Sequence, residues 1–64
     1  MLITVHLAHP TMPLQIQNDL PEEQAVALAN HLATGQWIEL DFPPGSPDKV
    51  RVNPRFVTHV QLVS

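Results

Sequence analysis

The chain has no cysteine and no tyrosine, only two glycines, and a single tryptophan with two phenylalanines among its 64 residues. Without cysteine there is neither a disulfide framework nor a thiolate zinc site, the two staples that chains of this size most often use. Stability must therefore come from apolar packing, from self-association, or from a His/carboxylate metal site. Charge is also scarce. Asp, Glu, Lys and Arg make up 14% of the chain, against roughly 25% in an average soluble domain, so charge cannot cover the surface and apolar groups are expected to face outward. No stretch approaches the ~20 apolar residues that span a bilayer. The opening MLITVHLAHP lacks the basic segment of a signal peptide, which points to a cytoplasmic protein with no membrane partner. Domains of this length bury only about 60% of the surface their unfolded chains expose, so residues 1–64 form one domain.

What is present reads first as a strand. Met1, Ile3, Val5 and Leu7 alternate with Leu2, Thr4, His6 and Ala8, the period of an extended segment with one strongly apolar face. His9-Pro10-Thr11-Met12-Pro13 is a connection, because its two prolines remove ladder donors and hold their predecessors extended. Leu14 and Ile16 then alternate with glutamines as a short second strand, antiparallel to the first. Asp19-Leu20-Pro21-Glu22 is a helix start with Asp19 as cap and Glu22 closing a capping box. Ala25, Leu28, Ala29 and Leu32 form the apolar stripe of the helix, and Gly35 supplies its left-handed end.

From Gln36 the period returns to two. Ile38, Leu40 and Phe42 face one way, and Trp37, Glu39 and Asp41 the other. Residues 43–48 are dense in Pro, Gly, Ser and Asp and make the loop of a hairpin into Lys49-Val50-Arg51-Val52. Asn53 caps a single turn with Pro54 at its first position, and Val57 to Val63 follow as a last strand. The fold class is α+β: a small β-β-α-β-β(-β) domain with a mainly antiparallel sheet and one amphipathic helix on one face.

Catalytic chemistry finds little support. The only serines, Ser46 and Ser64, sit in the Pro/Gly loop and at the end of the chain, away from any base. Glu39 and Asp41 share a strand face, as acid/base pairs do, yet a solvated strand face gives the same pattern. His6 and His9 are spaced H-x-x-H, but on an extended chain they point to opposite faces. His31 lies on the polar side of the helix, and His59 has no acidic neighbour in sequence. No catalytic residue, metal ligand or cofactor is assigned.

The charge distribution and the apolar surplus point instead to partners. Residues 1–48 carry −6 and residues 49–64 carry +3, because Lys49, Arg51 and Arg55 are the only basic residues. Such asymmetry prompts binding hypotheses. The basic segment meets RNA or DNA phosphate, steers self-assembly against an acidic face, or forms ordinary cross-strand pairs with Glu39 and Asp41.

One helix cannot cover both faces of a sheet. With Ile3, Val5, Leu7, Leu14, Ile16, Phe42, Val60, Leu62 and their neighbours on the helix side, Leu2, Trp37, Val57 and Val63 are left for the other. Exposed together they would form an interaction patch, and Trp is enriched at interface hot spots. The leading expectation is a non-enzymatic homo-oligomer or protein-binding regulatory factor using that face. Nucleic-acid binding through Lys49, Arg51 and Arg55 is second.

Val50-Arg51-Val52-Asn53-Pro54-Arg55-Phe56-Val57-Thr58-His59-Val60 resembles the V-x-V-N-P-x-x-V-x-x-V ending of small bacterial and phage proteins of the β-β-α-β-β kind. It is also similar to a segment of the small flagellar FlbD-type proteins, in which that segment lies near the N-terminus. The resemblance implies a strand, an Asn-Pro turn and a returning strand, with no catalytic residue.

Overall fold

The computed structural model describes residues 1–8 and 14–64; the connection expected at 9–13, with His9, lies outside the described residues. The elements run β1 (Leu2–Leu7), β2 (Leu14–Asp19), α1 (Glu22–Ala33), β3 (Ile38–Asp41), β4 (Lys49–Val52), a 3-10 turn (Pro54–Phe56) and β5 (Val57–Val63). This is the α+β order expected from the hydrophobic periods. The strands divide between two antiparallel sheets, β2-β1-β5 and β3-β4.

β1 is central because it carries the strongest alternation and finds a partner on each edge. Val5 pairs with Ile16 on one side and Val60 on the other. Since successive side chains face opposite ways, Ile3 and Val5 turn to the helix with Ile16, and all three are at most 1% exposed. From α1, Ala25 and Leu32 join them; from the second sheet come Ile38, Leu40 and Val52. Burying each of the larger side chains contributes about 1.5–3 kcal/mol. Phe42 does not enter this core. β3 ends at Asp41, and Phe42 beyond it is 42% exposed.

The ends of α1 divide between expectation and correction. At its start the cap position falls on Pro21, with no side-chain cap. Asp19 remains in β2 and accepts from the Met1 ammonium at 3.3 Å, so it does not cap the helix. At the other end Gly35 has φ +81°. Gly35 N–H donates to Leu32 O at 3.1 Å and Gln36 N–H to His31 O at 2.8 Å, the paired bonds of a Schellman ending.

Besides the apolar residues the second sheet contributes to the core, one polar side chain ties it to β2. Asn18, 6% exposed, donates from Nδ2 to Asp41 O at 3.0 Å and accepts from Asp41 N–H at 2.9 Å. An amide group thus satisfies both backbone groups of Asp41, as a neighbouring strand would.

Candidate interaction surfaces

Three surface features carry chemistry, and each follows from local geometry. The first is a groove between the two sheets. Asn53 Oδ1 accepts from Arg55 N–H at 3.0 Å and Asn53 O from Phe56 N–H at 3.1 Å, which fixes the 3-10 turn as its Asn-Pro sequence predicts. Phe56 O accepts from Ala8 N–H at 2.8 Å, tying that turn to the end of β1. Leu7, Leu14 and Ile16 from the first sheet and Val50 and Val52 from β4 then line a cavity of about 320 Å³, with Trp37, Phe56 and Arg51 also in its wall. Trp37 is 53% exposed, and the Arg51 guanidinium lies 5.4 Å from its ring centroid, within cation–π range.

The second is the charged face of the β3-β4 hairpin. The register sets Glu39 opposite Arg51 and Asp41 opposite Lys49, and Lys49 Nζ pairs with the Asp41 carboxylate. Two of the three cations thus sit across from carboxylates, and the Glu39/Asp41 face is built into cross-strand charge neighbours. Arg55 is exposed on the 3-10 turn, outside the hairpin.

The third is β5. Among the described residues it pairs only with β1, so its other edge is open. Its seven residues, Val-Thr-His-Val-Gln-Leu-Val, include no charged side chain and no proline. On its outer face His59 stacks on His6, with ring centroids 4.0 Å apart and planes 14° from parallel. His6 Nε2 donates to Gln61 Oε1 at 2.9 Å. Thr58 Oγ1 donates its one proton to His6 O at 3.1 Å, so His59 Nδ1, 3.1 Å from Thr58 Oγ1, is the donor to that hydroxyl.

The residues expected to form one apolar patch are distributed over these features. Leu2 and Val63 are direct cross-strand partners on the face away from the helix. Trp37 belongs to the groove. Val57 turns the other way and packs against the core, because the β1-β5 register shifts between His6 and Leu7, leaving Thr58 without a partner in β1. One extra residue moves a side chain to the opposite face. Sequence reasoning missed the His6–His59 stack, Phe56 as a groove wall, and Asn18. The first needed the β1-β5 pairing; the last had a signal in a polar residue at an inward position of β2.

Among the described residues no three His, Asp or Glu side chains gather where a metal ion could bind, and no helix is long and apolar enough to cross a membrane. Comparison with protein-family models, with curated proteins and with solved structures found no significant match to the chain.

Proposed function

We propose that the chain is a non-enzymatic, homo-oligomeric interaction or regulatory accessory factor, of the small phage or bacterial kind its C-terminal segment resembles, which associates through the open edge of β5. One observation carries this reading: β5 is a seven-residue edge strand without the charges or prolines by which edge strands are normally kept from pairing. An edge of that kind is a template for another strand, and the simplest partner is a second copy. Antiparallel pairing of β5 with itself is a two-fold contact. It joins two three-stranded sheets into one of six strands and leaves neither β5 edge exposed. Centred on Val60, it sets His59 opposite the second copy's Gln61, a polar pair, and Val60 opposite Val60, an apolar one. Leu2 and Val63 extend the apolar surface beside the seam.

Light scattering on the wild type and on Leu62→Lys tests the reading. Leu62, the cross-strand partner of Ile3, is 39% exposed; the substitution places an edge charge twice in the symmetric pair, and circular dichroism checks that the variant keeps the fold. The wild type is expected at a multiple of the 7.1 kDa chain mass and the variant at the monomer. A wild type that stays monomeric at millimolar concentration overturns it.

RNA or DNA binding through Lys49, Arg51 and Arg55 is the second reading. It is favoured by the Arg51 guanidinium beside exposed Trp37, a surface on which a base can stack. Against it stand the Lys49–Asp41 pair and a net charge of −3. Salt-dependent binding of a single-stranded oligonucleotide, lost on replacing all three cations with Ala, would favour it over self-association as the primary role.

A further inference from the structure

The groove between the sheets is separate from the β5 edge, and its chemistry points to a ligand. Its lining is almost wholly aliphatic and aromatic, with Leu14, Ile16, Val50 and Val52 beneath two exposed rings, Trp37 and Phe56. The cation in the wall is Arg51. Its cross-strand neighbour is Glu39, yet among the described residues Arg51 makes no ion pair with any carboxylate. The other strand cation, Lys49, is paired. Arg51 is held over the Trp37 ring, which leaves its donors for a group arriving from solvent. A guanidinium presents a planar fork that matches a carboxylate.

We propose that this groove binds a small apolar monocarboxylate of the medium-chain alkanoic acid class, with its hydrocarbon tail between the sheets and its carboxylate on Arg51. Size selects the class. About 320 Å³ lies at the low end of the ~300–1,000 Å³ range of small-molecule sites, room for a single short chain rather than for a segment of several residues. Charge selects the head group: one guanidinium at an apolar cavity complements one anion. Val50, Arg51 and Val52 of β4 and Asn53 just beyond it line the groove, so this stretch of chain forms a wall along which an extended tail lies.

Decanoate and decanol are the probes, titrated below the micellar range by calorimetry, with emission of the single tryptophan as a local reporter. For a ligand of this size a Kd on the order of 10–100 μM is expected for decanoate, with decanol about tenfold weaker and a saturable change in Trp37 emission. Arg51→Gln should weaken decanoate about tenfold, leave decanol unchanged, and retain the wild-type circular dichroism spectrum. Leu62→Lys, which addresses the β5 edge, should bind decanoate like the wild type, so the groove and the self-association are tested apart. No saturable binding of decanoate up to 1 mM, equal affinity for the two probes, or unchanged decanoate binding by Arg51→Gln would each overturn the proposal.

Discussion

The side chain of Asn18 occupies both the N–H and the C=O of Asp41, at 2.9 and 3.0 Å, and so takes the place of a strand between the two sheets. With Asn18 buried, removing its amide leaves two backbone groups of Asp41 without their partner, at a cost of about 1–3 kcal/mol each when buried. A domain of this size has a total stability of about 3–10 kcal/mol. Asn18→Leu, which fits the pocket by size but offers no hydrogen bonds, is therefore expected to lower the unfolding free energy by about 2–4 kcal/mol, measured by urea denaturation. An unchanged midpoint would mean that the two sheets hold together by apolar contact alone.

Gly35 provides a second, smaller test. Its φ is +81°, and beyond its own chain neighbours no described atom lies within 4 Å of the point where a Cβ would stand, so a side chain there meets backbone strain without steric clash. Gly35→Ala should cost about 1 kcal/mol, a fall in Tm of roughly 4–8 °C for a domain of this size. A rise in Tm would show that the Schellman ending is not maintained in solution.

Leu40 is 2% exposed and belongs to β3, so it reports whether the second sheet shares the main core. Leu40→Ala should cost about 2–5 kcal/mol, a large part of the total, read as a lowered urea midpoint and a lowered Tm by circular dichroism. A change under 1 kcal/mol would place the hairpin outside the cooperative unit.

The Lys49–Asp41 pair joins a lysine side chain 57% exposed to a carboxylate 29% exposed. Exposed pairs are worth at most about 1 kcal/mol, so Lys49→Ala is expected to change stability by less than that, and the small loss should vanish in 1 M salt. A larger, salt-insensitive loss would assign Lys49 a packing role for its aliphatic stem.

Much of this fold is legible in the sequence because its elements rest on local pattern. The Ile3/Val5 alternation, the Ala25/Leu32 stripe, Gly35 and the Asn53-Pro54 turn each act within a few residues, and each stands where those patterns predict. The features that carry the surface do not act locally. Val57 faces the core because Thr58 is one residue more than β1 can pair, and nothing in the last strand announces that shift. His6 and His59 meet only because β1 and β5 are neighbours. The groove exists because the strands split into two sheets, which the side chain of Asn18 bridges. The cross-strand charges are the intermediate case: Glu39 with Arg51 and Asp41 with Lys49 follow from the hairpin register, once the loop at 43–48 is recognised.

Self-pairing of β5 is tested most directly by amide hydrogen exchange across Val57–Val63 as a function of protein concentration. In the monomer, the amides that face β1 are bonded and those on the open edge are not. Association through that edge predicts that the second set becomes protected as concentration rises, in step with the increase in mass, and that Leu62→Lys abolishes the protection. Open-edge amides that exchange at the same fast rate at every concentration, in a protein whose mass has doubled, would contradict pairing through β5 and place the contact elsewhere.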